Sequence, residues 1–238
     1  MNKRGSHVGM ILSFVVFMSF LIFLFSVLEP VVKTEKDKQF LLSFLGEALE
    51  NNFSTMLNAS LINIDEDFVF GGGSCLKLDN SEGKINGEKL VVKDDVKNNL
   101  SYYISGDFFY VEKGVGENEK FFKVYYSEEF ASASSVLEGC DEVGENYEVS
   151  LLPKKEYIFE GNVLVLLEQH NTDYETLKED FNVPADSEFG FSFTYENGTI
   201  IGTEDKEVQT NIYVNEIPVQ YVDEVANISS GFISVKVW

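Results

Sequence analysis

Histidine and cysteine are almost missing from this chain, with two of each among 238 residues. That leaves little from which to build a metal centre or a catalytic dyad. Basic residues are scarce as well. Only 18 Lys and Arg stand against 40 Asp and Glu, for a formal net charge of −22. So acidic a surface excludes nucleic acid as a partner, because binding phosphate needs a basic face. No G-x-S-x-G, H-E-x-x-H, P-loop or Rossmann fingerprint occurs, and no carboxylate pair stands out among the many acids. No repeat and no low-complexity linker interrupts the chain. These absences point away from an enzyme and call for no cofactor and no metal. What is present rules out a disordered acidic chain: 44% of residues are hydrophobic, and 21 Phe and 11 Tyr favour packed, strand-rich structure.

From Val8 to Leu28 no charge appears, and five Phe (14, 17, 20, 23 and 25) lie among Ile, Leu, Val and Met. At ~1.5 Å per residue this run spans about 31 Å, the thickness of a bilayer's hydrocarbon core. A cleaved secretory signal is the rival. Its apolar region would be shorter and followed by small residues, whereas this run ends Val27-Leu28-Glu29-Pro30. A signal anchor fits better. Lys3 and Arg4 before the run nearly balance Lys33, Lys36 and Lys38 after it, so the positive-inside rule is close to a draw. The short acid-free tail is placed in the cytoplasm, and the acidic remainder, with its cysteines and glycosylation sequons, outside the plasma membrane.

Beyond Pro30, residues Phe40, Leu41, Phe44, Leu45, Ala48 and Leu49 recur at helical spacing, followed by Met56 and Leu57. The pattern predicts an amphipathic helix over 34–58, broken or kinked from the first at Pro30, and burying Phe40, Leu41, Phe44, Leu45 and Leu49. Strands are expected at 74–78, 88–92, 100–105, 107–112, 121–126, 147–151, 156–160, 188–195, 199–203, 207–214, 217–222 and 231–237. The turns between them are Gly71-Gly72-Gly73, Asn86-Gly87, Gly114 to Gly116, and Asn197-Gly198, the last a strong hairpin signal. Thr172-Asp173-Tyr174-Glu175 reads as a capping box that starts one helix through Leu177 and Phe181. The expected fold is α+β: a cytoplasmic tail 1–7, a transmembrane helix 8–28, an amphipathic stalk 29–59 and a β-rich, mainly antiparallel extracytoplasmic domain 60–238, with a weak seam near 161–186.

Two cysteines in an exported domain predict a Cys75–Cys140 disulfide, with two free buried thiols as the alternative. Sequons fall at Asn52, Asn58, Asn99, Asn197 and Asn227, a modest excess in an Asn-rich chain. Gly5, Gly9 and Ser13 step by four, a small-residue face on which spanning helices pack closely, unless they are simply small residues near the interface. Asp79 to Glu88 faintly resembles a calcium loop, but Leu90 stands where a bidentate acid belongs. It reads as a solvated turn, as do Asp65, Glu66 and Asp67. His170 reads as a loop or helix-edge residue and not as a base.

Lys3-Arg4-Gly5-Ser6 followed by a Phe-rich helix resembles the class III signal peptide of archaeal type IV pilin-like proteins. The plan of spanning helix, proline, amphipathic half and β-rich head is also similar to a pilin subunit. The resemblance covers residues 3–58. It implies cleavage between Gly5 and Ser6, assembly of the apolar helix with other pilin-like subunits, and no catalytic residue. The family usually carries Glu five residues after the cut, where this chain has Met10, and often Gln in place of Ser6. That departure favours a minor or non-filament subunit. The expected protein is thus a non-enzymatic, single-pass surface protein whose partners are membrane lipid and pilin-like subunits or surface proteins. The alternative is a monomeric anchored binding or adhesion module.

Overall fold

A computed structural model describes residues 6–85, 89–114, 120–131, 135–204 and 211–238, and for residues 6–7 and 28–34 the backbone alone. One helix, α1 (Ser6–Phe53), precedes a head that is mostly strand. Helix α1 is continuous through Pro30, so the expected break does not occur. Proline removes its own N–H and crowds the carbonyl four residues back, and helix propagation on both sides carries the chain past that local loss.

The helix also stops earlier than its pattern predicts. Residues 54–58, expected to be helical, open the strand β1 (Ser54–Ile64), which meets neighbours along both edges. Its first residues pair with β10 (Lys155–Phe159), and its later ones pair with β7 (Phe121–Tyr126) on one side and β9 (Tyr147–Leu151) on the other. Ile62 and Ile64 alternate inward and are fully buried. Ladder pairing of Ser54 to Leu57 with β10, continued from Asn58 by β7, outweighs the short helical continuation suggested by Met56 and Leu57.

The remaining strands are β2 (Cys75–Asp79), β3 (Leu90–Lys93), β4 (Asn99–Leu100), β5 (Tyr102–Ser105), β6 (Phe108–Glu112), β8 (Asp141–Gly144), β11 (Phe189–Thr194), β12 (Ile200–Gly202), β13 (Tyr213–Val222) and β14 (Ile228–Val237). Among the described residues, one sheet runs β12-β11-β14-β13-β10-β1-β7-β3-β4, with β9 also on β1, and a second runs β5-β6-β2-β8. Pairing is mainly antiparallel; β10 with β13 and β2 with β8 are parallel. The hairpin at Asn197-Gly198 joins β11 to β12 as expected, with Gly198 at φ 82 accepting the left-handed turn. Asn86-Gly87 and part of the Gly114 to Gly116 turn lie outside the described residues, as does the first half of the candidate strand 207–214, whose last two residues belong with 217–222 to β13.

The capping box does not form. Helix α2 (Glu160–Thr172), absent from the sequence expectation, ends at Thr172, whose hydroxyl donates back to the Glu168 carbonyl at 2.8 Å. Helix α3 (Tyr174–Asp180) starts from Asp173 without a side-chain cap. The unbroken run Val163 to Leu167 hides the period of α2: Val163, Leu166 and Leu167 are buried while Leu164 and Val165 face solvent.

Two main cores result. The first gathers the end of α1 with α2, α3 and the inner faces of β11, β13 and β14; the second lies among β1, β2, β6 and β7. A smaller cluster of Leu57, Tyr125, Phe130, Phe159 and Val222 joins them.

Candidate assembly surface and modification sites

Among the described residues, nothing buries the first half of α1 between Val8 and Val27. Val8–Val27 is long and apolar enough to cross a membrane, and no part of it is buried. Ser19 donates its hydroxyl to the Val16 carbonyl at 2.9 Å, which satisfies a polar group inside the apolar run. Of the small-residue face, Gly9 meets open space and Ser13 is exposed, while Gly5 and the Ser6 side chain lie outside the described residues.

The second half of α1 is docked, on a face turned from the expected one. Leu41, Leu42, Leu45, Leu49 and Phe53 are buried, but Phe40 is 75% exposed and Phe44 41%. The correction follows from Gly46. A Cβ there would stand 2.9 Å from Ile217 Cδ1, so β13 comes closest along the Leu42-Gly46-Leu49 side. Phe40 and Phe44 fall about 200° around the helix from Leu42 and face out. With Leu41 and Pro184 they border a pocket of ≈ 540 Å³ at the base of the head. Lys38 ties this region down, donating to Ser187 Oγ at 2.7 Å and to the Trp238 carbonyl at 2.9 Å.

The cysteines form the disulfide Cys75–Cys140, with Cα atoms 4.3 Å apart. Beside it Lys113 Nζ and Asp141 Oδ2 pair at 2.5 Å, both largely shielded. That hydrogen bond, aided by the Gly73 N–H, holds the Asp141 carboxyl below its usual range against the opposing pull of burial. Asp79 is engaged in a turn, its Oδ1 accepting the Ser81 N–H at 2.9 Å. His170 sits in the last turn of α2, the helix-edge alternative, with its ring 4.7 Å from Tyr174 and its Nε2 3.3 Å from the Phe189 carbonyl.

The sequons differ in their surroundings. Asn99 and Asn197 are exposed, the latter in the hairpin turn. Asn52, also exposed, donates to the Ala48 carbonyl at 2.8 Å. Asn58 lies in β1, not on the helix, and its amide oxygen is buried with no hydrogen-bond partner among the described residues. Asn227 is exposed, yet Lys93 Nζ lies 2.6 Å from its Oδ1 and its Nδ2 donates to Asp223 at 2.8 Å. Sequence reasoning had no means of pairing Lys93 with Asn227, which stand 134 positions apart. Comparison with known proteins finds no matching family model, no matching curated protein and no matching solved structure.

Proposed function

We propose that the chain is a single-pass, pilin-like component of a cell-surface assembly, anchored by Val8–Val27 with its head outside the plasma membrane and without a catalytic role. The carrying observation is that one continuous helix is naked and apolar in its first half and docked in its second. Between Val27 and Lys38, whose amine bonds to the head, the helix rises about 17 Å. The head therefore stands clear of the bilayer on an extended stalk, the layout the class III signal resemblance implies. The disulfide supports an exported head, because such bonds persist in oxidising compartments. Met10, in place of the acid that would pair with a neighbour's new α-amine, favours a minor or non-filament subunit over the filament's main one.

The test is the mature N-terminus in the native host, read by sequencing together with in-membrane crosslinking. Cleavage after Gly5 and crosslinked species larger than a monomer are expected. An intact N-terminus with monomers only would replace this reading with that of an anchored binding module. Gly5→Leu should block the cleavage.

A further inference from the structure

Two hairpins of the head close with the same turn. In Asp94-Asp95-Val96-Lys97-Asn98, between β3 and β4, Asp94 Oδ1 accepts the Asn98 N–H at 2.6 Å and Oδ2 accepts the Asn98 Nδ2 at 2.8 Å. In Asp223-Glu224-Val225-Ala226-Asn227, between β13 and β14, Asp223 holds Asn227 in the same two ways, at 2.7 and 2.8 Å. The fourth residue of each, Lys97 and Ala226, takes positive φ. The turns lie close enough for Lys93, at the end of β3, to cross from one to the other and bring its Nζ within 2.6 Å of Asn227 Oδ1. Since a carbonyl bond is ~1.23 Å long, Nζ can stand no more than about 3.8 Å from Asn227 Cγ. That is close to the ~3–3.5 Å separation from which held groups react.

We propose that Lys93 and Asn227 join covalently through a side-chain amide bond, with Asp223 as the proton relay. The neutral Lys93 amine attacks Asn227 Cγ, forming the Nζ–Cγ bond. The Cγ–Nδ2 bond breaks and Nδ2 leaves as ammonia, taking one of the two amine protons while the other stays on the new amide. Where Lys93 starts as the ammonium, its extra proton passes to Asp223 and on to water. Nothing is oxidised or reduced, and no co-reactant is needed.

Three features prepare the step. Lys93 is only 4% exposed, and burial favours its neutral, nucleophilic form. Lys97 pushes the same way, whereas the charges of Asp223 and Asp94 oppose it. Asp223 Oδ2 is on Nδ2, the atom that must leave protonated. Asp223 Oδ1, held by the Val225 and Asn227 N–H groups, keeps the carboxylate from turning away. Asn227 itself is exposed, so ammonia departs into solvent.

The bond would clamp the β13–β14 turn to β3, next to the small cluster that joins the two cores. It would also consume the nitrogen to which a glycan on the Asn227-Ile228-Ser229 sequon attaches, so the two modifications exclude each other on one molecule. The inference does not depend on the assembly reading.

The full chain, purified from its host and reduced, tests it by intact mass and by peptide mapping with trypsin and a second protease. A branched peptide joining the Lys93 and Asn227 segments, lighter by one ammonia than the two linear peptides together, is the expected result. Tryptic cleavage at Lys93 with Asn227 recovered as a free amide, or as a glycan-bearing residue, overturns the proposal. Lys93→Arg should abolish the branched peptide while keeping the charge. Asp223→Asn should lower the linked fraction at least tenfold, and full linkage in that variant would remove Asp223 from the relay. Should either variant fail to fold, the map of the unaltered chain still decides.

Discussion

The two halves of α1 are both rich in large apolar side chains, yet one is bare and the other is the spine of a core. Val8 to Val27 has nothing against it, while Leu42, Leu45, Leu49 and Phe53 are sealed beneath β11, β13 and β14. Apolar content therefore does not say what covers a helix. For Val8–Val27 the described residues offer no complementary surface. In the second half polar residues such as Glu47 and Glu50 confine burial to one side, and Gly46 lets the sheet approach.

Truncation is the most forceful way to break this comparison. Leu49→Ala should destabilise the head by about 2–5 kcal/mol, because a fully buried side chain leaves a cavity. Phe44→Ser, on the outward side of the same segment, should stay within about 0.5 kcal/mol. Urea unfolding of both variants checks the pair, and equal losses would mean that Phe44 is covered after all. Removing the disulfide with Cys75→Ser and Cys140→Ser should cost about 2–4 kcal/mol. That loss should loosen the core of β1, β2, β6 and β7 while the α1 core keeps its amide protection, as hydrogen exchange can resolve.

A milder probe is Gly46→Val. It drives a side chain into Ile217 and should cost about 1–3 kcal/mol by overpacking, visible as a lowered unfolding midpoint. A neutral result would show that the end of the Ile217 side chain swings aside. The smallest effect expected comes from acid. Asp141 has its folded pKa depressed below 3.8, so its contribution is fully present above that unfolded value and is lost as pH falls through the folded one. Lowering the pH below about 4 should weaken the disulfide-bearing sheet before the α1 core, and Asp141→Asn should flatten that pH dependence.

The long apolar helix, the β-rich head and the Asn197-Gly198 hairpin were all legible in the chain, since each depends on residues close in sequence. The cysteine pairing was legible by count. Helix α2 was not, because a solid apolar run from Val163 to Leu167 has no period to read. The end of α1 at Phe53 was missed because the forces that convert residues 54–58 to strand come from β7 and β10, far along the chain. The Thr172 cap failed because the hydroxyl found the carbonyl of its own preceding turn first.

By itself, then, the sequence determined where the long apolar helix lies, that the chain is acidic and strand-rich, and which cysteines can pair. Those properties follow from composition and near neighbours, which every conformation of the chain shares. Only the tertiary structure decided which side of α1 is buried, where that helix ends, and that Lys93 meets Asn227. Each of these depends on what stands opposite in space, and a one-dimensional pattern of apolar and polar residues carries no record of the partner across the gap.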